Sequence, residues 1–400
     1  MKETELGKYP LVILTNVEWD FLWQRQQTLA THFAKLGHRV IYVEGLALGS
    51  DYVDIHWYLR GFKKLWRKIG RAGHGSGKTK NLPENLTVYS AFMAPARPRV
   101  FRWVSKQVFV PRILKDIASM NVENPVVWSF QPTDTALQVA RGLEPRALVY
   151  DCATNWGHMA QHPKDISITE KQWVDAANLV IVDSSFLREK HIERRPDVVQ
   201  IPPGVHFELF NQAYSSAEPC DSVQRVGFFG GMGAWWFDFD LVEQIADAGF
   251  RVSLVGYAED AHHRLFSHPN VSYLPQVPQV DLPALLKPMD ALLMPYKIND
   301  FTRGVFPSKS YECLATGKPV VATPLPDLKG ALAEYIYLAD DAEGFIQVLR
   351  QLPTLETPQK IQSRIAQARR HTWQARLDAI HTILEETLHN RRRPSSTITN

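Results

Sequence analysis

One repeated feature limits what this chain can fold into. Short apolar, β-branched runs recur along its 400 residues, with helix-patterned segments between them. In the first half they are Leu11–Leu14, Val40–Val43, Val126–Trp128, Leu148–Tyr150, Leu179–Val182 and Val198–Ile201. In the second half they are Val226–Phe229, Val252–Val255, Val271–Leu274, Ala291–Met294, Val320–Ala322 and Tyr335–Leu338. A strand that is apolar throughout needs cover on both faces, which a parallel sheet between two helical layers supplies. Six runs in each half predict an α/β chain of two doubly wound, Rossmann-like domains facing each other across a cleft. The chain is long enough for two substantial cores. The predicted division is 1–210 for an N-terminal domain with a basic insertion at about 55–80, and 222–365 for a C-terminal domain. A helix at 366–390 packs back across the domains, and 391–400 is a disordered tail. The seam falls in the polar stretch Asn211–Gln224, which carries neither periodicity.

Composition narrows the class. Hydrophobic residues make up 45% and charged residues 22%, ordinary for a soluble globular chain. Cys152, Cys220 and Cys313 are widely spaced and odd in number, which argues against a disulfide framework and fits a reducing compartment. No spacing suggests a metal site. The opening MKETELGKYP has no apolar leader, and no run approaches the roughly 18 apolar residues of a membrane span. The expectation is a cytoplasmic protein.

The net charge of +3 is unevenly spread: residues 60–80 hold eight Lys/Arg and no acidic residue. Within Leu59–Arg71, apolar residues at 59, 62, 65, 66 and 69 form one helical stripe, with Lys63, Lys64, Arg67 and Lys68 beside it. Phe62 and Trp66 lie on the stripe. A basic amphipathic helix containing Trp reads as a binder of anionic membrane surfaces, or as a core-packed helix with a solvated basic face. Arg97, Arg99, Arg102 and Lys106 interleave with Val100, Phe101 and Trp103 as a second such contact. No nucleic-acid motif accompanies the charge, so no nucleic-acid partner is expected.

Downstream, Ala72–Thr79 reads AGHGSGKT, near the G-x-x-x-x-G-K-[ST] spacing of a phosphate loop. Such a loop needs a buried strand before it and a helix after it. Here a basic helical pattern precedes it, and Pro83 breaks any helix on its C-terminal side. The stretch therefore reads as a linker into a strand near Leu86–Tyr89.

A better phosphate site is RGVFPSKSYECLATGKPVVATP, Arg303 to Pro324. Pro307-Ser308 make a helix start, with Ser308 as the N-cap, and Gly317 a helix stop before the strand VVAT. The helix N-terminus with Arg303 and Lys309 suits a phosphate, and Glu312 one turn in suits sugar hydroxyls. The same residues read equally as a surface helix with an ordinary C-terminal cap.

This segment resembles the donor-binding stretch P-S-K-x-x-E-Y-L-A-x-G-K-P-V-V-A-T of GT-B-fold glycosyltransferases. Glu18–Gln27, EWDFLWQRQQ, resembles the W-x-x-R-x-Q opening of the teichuronic-acid-type, TuaH-like branch of the bacterial glycosyltransferase group 1/4 superfamily. Val226–Gly231 with Trp235 and Asp238 resembles the first strand and glycine turn of its donor domain. The resemblance covers roughly residues 10–385. It implies a metal-independent, hexosyltransferase-type enzyme that takes a nucleotide-diphosphate sugar as substrate and needs no cofactor. It implies that Gly230 and Gly231 admit the diphosphate and that Arg303, Ser308 and Lys309 bind its oxygens. Glu312 would hold the ribose, and main-chain groups at Gln276 and Val277 would meet the base. The chain departs from the Glu-x7-Glu pair of many retaining members, because the first glutamate position is Gly304.

Sugar transfer also needs an acceptor for the incoming hydroxyl's proton. Asp151, ending the strand LVYD, is the first choice of catalytic base, or a helix cap; Asp20, after the first strand, is the second. Asn155, Trp156 and His158 on the loop after Asp151, with Arg25, are acceptor-site candidates, or packing and solvated residues. Trp19, Trp23, Trp156, Trp235 and Trp236 suit sugar rings or cores alike. The expected function is glycosyl transfer to a glycan acceptor, lipid-linked or at the cell surface, in cell-envelope polysaccharide biosynthesis by a peripheral membrane enzyme. A nucleotide-sugar epimerase of the same fold and a non-catalytic membrane-associated relative are the rivals.

Overall fold

The computed structural model describes residues 7–21, 23–46, 82–91, 103–158, 165–216 and 218–392. The chain forms two compact units: residues 1–182, 188–200 and 379–400 in the first, 183–187 and 201–378 in the second. The basic segment 59–71 and the AGHGSGKT stretch lie outside the described residues.

Among the described residues, the first unit holds a seven-stranded sheet. Its strands are β1 (Leu11–Leu14), β2 (Val40–Glu44), β3 (Leu86–Ser90), β4 (Val126–Ser129), β5 (Ala147–Cys152), β6 (Leu179–Val182) and β7 (Val199–Gln200). All pair in parallel, in the order β3-β2-β1-β4-β5-β6-β7. The helices between them are α1 (Arg25–Lys35), α2 (Val110–Ala118), α3 (Asp134–Gly142), α4 (Ile166–Ala176) and α5 (Ser185–Ile192). Every residue of β1, β4, β5 and β6 is buried, as two-sided cover requires.

The second unit repeats the plan with six strands: β8 (Arg225–Phe229), β9 (Arg251–Val255), β10 (Val271–Leu274), β11 (Ala291–Met294), β12 (Val320–Ala322) and β13 (Tyr337–Leu338). Their order is β10-β9-β8-β11-β12-β13, again all parallel. Its helices are α6 (Phe207–Phe210), α7 (Phe239–Asp247), α8 (Leu282–Leu286), α9 (Lys309–Ala315), α10 (Pro326–Gly330), α11 (Ala342–Leu355), α12 (Pro358–Arg370) and α13 (Trp373–Arg392).

The two-residue period of the strands divides the second core in two. Val226, Phe228, Ala291, Leu293 and Val321 join α7 and α11 in one cluster. Phe229, Leu292, Met294, Val320 and Ala322 join α9 and α12 in the other. Side-chain caps start several helices: Thr133 accepts from Ala136 N at 3.2 Å for α3, and Asp238 from Leu241 N at 3.1 Å for α7. Such a cap contributes about 1 kcal/mol.

The second unit begins at Ile201, ahead of the polar stretch where sequence places the seam. The physical reason is that Val205, Phe207, Phe210 and Ala213 are buried in the second unit's core. Helix α13 starts in the second unit, and its residues from Ala379 onward belong to the first. There the Tyr9 hydroxyl donates to Glu385 at 2.9 Å. Among the described residues, no helix is long and apolar enough to cross a membrane.

In each sheet the strand order reverses at one point: between β1 and β4, and between β8 and β11. Open parallel sheets bind ligands beyond the carboxyl ends of the strands at such a switch.

Candidate functional site

At the switch of the second unit, β8 runs into Gly230 and Gly231 and β11 into Pro295 and Tyr296. Gly230 has φ +122, and a Cβ there would sit 2.9 Å from Lys309 Cε and 3.0 Å from Nζ. The lysine is therefore laid directly on the glycine backbone. From the other side, a Cβ on Gly256, after β9, would lie 2.2 Å from the Gly230 carbonyl oxygen. Both positions require glycine, for positive φ and for close approach.

Lys309, the first residue of α9, is fixed in place. Its Nζ donates to the Tyr296 hydroxyl at 2.8 Å and lies 4.8 Å from the Phe228 ring centroid and 5.3 Å from that of Tyr296. Two aromatic faces and one hydroxyl hold the ammonium without neutralising it. Tyr296 is held in turn by its backbone N–H, which donates to Thr323 Oγ1 at 3.0 Å.

One turn along α9, Glu312 accepts from Gln279 Nε2 at 3.2 Å. Burial pushes its carboxyl up to about 7, against the opposing pull of the Lys309 charge and the Gln279 hydrogen bond. The structure thus brings Gly230, Lys309 and Glu312 together. It adds Tyr296, Gln279, Phe228 and Gly256, which sequence reasoning did not single out. Tyr296 and Gln279 carried a faint signal, since each comes only a few residues after a strand.

The remaining donor candidates are differently placed. Ser308 is exposed and already helical, at φ −55 and ψ −31, and makes no side-chain cap hydrogen bond. That corrects its expected capping role: the backbone has entered the helix before the hydroxyl reaches back. Arg303 is 55% exposed, with Asp300 3.8 Å away. Gln276 is exposed in the loop after β10, and Val277 packs on the core. Gly304, at the position of the first glutamate in the Glu-x7-Glu pair, is buried, and its carbonyl accepts from Ser184 Oγ at 3.0 Å.

In the first unit, Asp151 and Arg25 turn out to be partners. Arg25 Nε donates to Asp151 Oδ2 at 3.0 Å, and Trp128 Nε1 to the same oxygen at 3.2 Å. Asp151 is fully buried and Arg25 is 8% exposed. Burial raises the Asp151 carboxyl above its ordinary range, and Arg25 and Trp128 oppose the shift. Both side chains are buried, unlike the catalytic and acceptor-binding roles their positions suggested. Asp20 is exposed on the β1–α1 loop, flanked by exposed Phe21 and Trp23. That loop is anchored: Trp19 N donates to Glu44 at 2.7 Å and Tyr42 Oη to the Val17 carbonyl at 3.0 Å.

Asn155 and Trp156 are buried and His158 is exposed. Lys190 Nζ donates to Asn155 Oδ1 at 3.2 Å and to Glu170 at 2.7 Å. Glu170 also accepts from the Tyr150 hydroxyl at 3.2 Å, and Cys152 and His191 converge on it. Burial opposes ionisation of Glu170, but His191 and Lys190 outweigh it and hold the carboxyl below its usual range. This knot ties the loop carrying Asn155 to α4 and α5, and no local pattern in the sequence announces it.

Known proteins share this architecture. Residues 240–382 match a family model described as Glycosyl transferase-like. A Bacillus subtilis (strain 168) protein named as the teichuronic acid biosynthesis glycosyltransferase TuaH is 25% identical over 245 residues, 55% of this chain. The chain spans 60% of the length of that curated relative. The sucrose-phosphate synthase of Thermosynechococcus elongatus matches with a TM-score of 0.66 at 14% identity, over 96% of this chain and 100% of that one. Anabaena HepE, solved in complex with UDP and glucose, matches at 0.62 and 16%, over 94% and 99%. A Rickettsia africae ESF-5 glycosyltransferase matches at 0.65 and 13%, over 96% and 100%. The chain has the α/β, two-domain GT-B fold, and in sequence it resembles TuaH-like glycosyltransferases.

Proposed function

We propose that this protein is a glycosyltransferase that moves a sugar from a nucleoside-diphosphate-sugar donor onto a glycan acceptor. The observation that carries the reading is the Lys309 ammonium, held by the Tyr296 hydroxyl against the bare Gly230 backbone at the switch of a parallel sheet. A diphosphate there meets a positioned cation and a chain without side chains to repel it. The names of the relatives support the same class.

In this reading Lys309 and Arg303 stabilise the negative charge that grows on the departing diphosphate as the bond to the sugar breaks. Gly230 and Gly231 admit the phosphates, and Ser308 and the start of α9 add donors. Glu312 accepts from the ribose hydroxyls, and the Gln276–Val277 turn meets the base. With two cations for the leaving group the transfer needs no metal, and the hexosyltransferase type is taken from the family resemblance. The acceptor hydroxyl's proton goes to Asp20, whose exposure favours it over buried Asp151. The Arg25–Asp151 pair then orients the start of α1 behind the Asp20 loop.

The acceptor is lipid-linked or part of a cell-envelope glycan, and the basic segment 59–71 holds the enzyme at the inner face of the membrane. Sedimentation with anionic liposomes, lost on exchanging Lys63, Lys64, Arg67 and Lys68 for Glu, tests that part. Wild-type protein that fails to sediment at low salt would overturn it. The catalytic reading is tested by a donor-hydrolysis screen over UDP-, GDP- and dTDP-sugars. One donor should be hydrolysed without added metal, and Lys309→Ala should abolish the signal. No turnover and no calorimetric affinity for UDP, GDP or dTDP would overturn the reading.

A further inference from the structure

We infer that Trp235 is the platform on which the sugar ring of the donor lies; this rests on the donor reading above. The five tryptophans that suited a sugar or a core are distinguishable by their surroundings. Trp19 and Trp156 are buried, at 9% and 5% exposure. Trp236 is half-buried, and its indole N–H donates to the Gly231 carbonyl at 3.1 Å. Trp23 is exposed, but it belongs to the first unit and its indole N–H donates to Thr28 at 2.9 Å. Trp235, in the glycine turn after β8, is 54% exposed.

Its backbone is unusually well fixed for an exposed residue on a turn. Asn299 Nδ2 donates to the Trp235 carbonyl at 2.7 Å. Lys297 N donates to the Trp236 carbonyl at 2.9 Å, and Lys297 Nζ to the Ala234 carbonyl at 3.1 Å. Asp238 N donates to the Pro295 carbonyl at 2.9 Å, and Phe237 bridges Tyr296 in antiparallel fashion. The turn after β8 and the segment after β11 are thus stitched into one rigid shelf. At its inner end, through Tyr296 and Gly230, stands Lys309.

A pyranose has a face of C–H bonds and a rim of hydroxyls. The shelf offers matching groups: the indole of Trp235 and exposed Ile298, then exposed Asp300 and Arg303 on the same segment as Ile298. The first two would cover the C–H face; Asp300 would meet rim hydroxyls, with Arg303 beside it turned to the diphosphate. The ring is joined to the diphosphate that Lys309 would hold, so the sugar is the occupant continuous with that site. Stacking on a rigid indole costs little ordering.

Calorimetry with Trp235→Ala and Trp235→Phe separates this inference from the donor reading. The probes are UDP and GDP, and the sugars UDP-glucose, UDP-galactose, UDP-N-acetylglucosamine, UDP-glucuronate and GDP-mannose. In Trp235→Ala, Kd for the free nucleoside diphosphate should stay within about twofold. Kd for the best-bound nucleotide-sugar should rise about tenfold, with Trp235→Phe recovering most of the loss. Free nucleotide and nucleotide-sugar weakening together, or neither weakening, would overturn the platform and leave the donor reading standing. Wild-type protein that binds no nucleoside diphosphate would overturn both.

Discussion

Lys309 is the residue whose removal tests most of the site at once. Its ammonium is directed by the Tyr296 hydroxyl at 2.8 Å and by two ring faces at 4.8 and 5.3 Å, so it needs little ordering when a phosphate arrives. Two unit charges 4 Å apart interact by about 4 kcal/mol at an effective dielectric of about 20. Desolvation reduces this to about 2–3 kcal/mol net for a charge-assisted hydrogen bond. Lys309→Ala and Lys309→Met should therefore raise Kd for the nucleoside diphosphate about 30- to 150-fold, measured by calorimetry. The Met variant keeps an apolar stem of similar length and should match the Ala variant in affinity while melting close to wild type. Gly230→Ala reaches the same place from the other side. Its Cβ falls 2.9 Å from Lys309 Cε at φ +122, so lost affinity should come with about 1–3 kcal/mol of lost stability. Affinities within threefold of wild type in both lysine variants would show that the phosphates sit elsewhere.

Glu312 should make nucleotide affinity pH-dependent. Its folded pKa of about 7 lies above the ordinary value of 4.5, so its contribution to stability is largest below the ordinary value and declines as pH rises to about 7. The ionised form accepts ribose hydroxyls best, so affinity should climb through about pH 7; calorimetry should show that Glu312→Gln removes the inflection. Arg25→Met strands a buried carboxylate and should cost about 3–5 kcal/mol in urea unfolding, most of it recovered by adding Asp151→Leu. A cost below about 1 kcal/mol would mean that the pair does not hold α1. Asp20→Asn should lower the transfer rate about 100-fold or more at an unchanged melting temperature; equal loss in donor hydrolysis would assign Asp20 to the donor instead.

How far the sequence could be read depended on the range of the interactions. Strand positions were legible because burial on both faces leaves a local mark, an unbroken apolar run such as Leu179–Val182. Lys309 and Glu312 were legible because they share one turn of helix. Asp151 was legible as a strand end, but not its fate. The partners that hold it, the Arg25 charge and the Trp128 hydrogen bond, come from a helix 126 residues away and a strand 23 residues away. The Ser308 cap failed for a subtler reason: residue type licenses a cap, but only backbone angles make one. Tyr296 was missed because an aromatic residue after a buried strand looks like more core. Only the close approach of Lys309 from another element sets it apart.

The return of α13 to the first unit sets the order in which a ribosome can complete the molecule. Tyr9 finds Glu385 only after 376 further residues have been added, and residues 188–200 and 379–400 both belong to the unit that is begun first. At about 5–20 residues per second, that wait lasts tens of seconds. The unit translated first is thus the last to be finished. The second, contiguous from Ile201 to Asp378 apart from the short loan of 183–187, has nearly all its parts while its predecessor still lacks a helix. A nascent chain stalled before Ala379 should expose the apolar surface that Ile380, Leu384 and Leu388 later cover, and it is this half-made form that chaperones would meet.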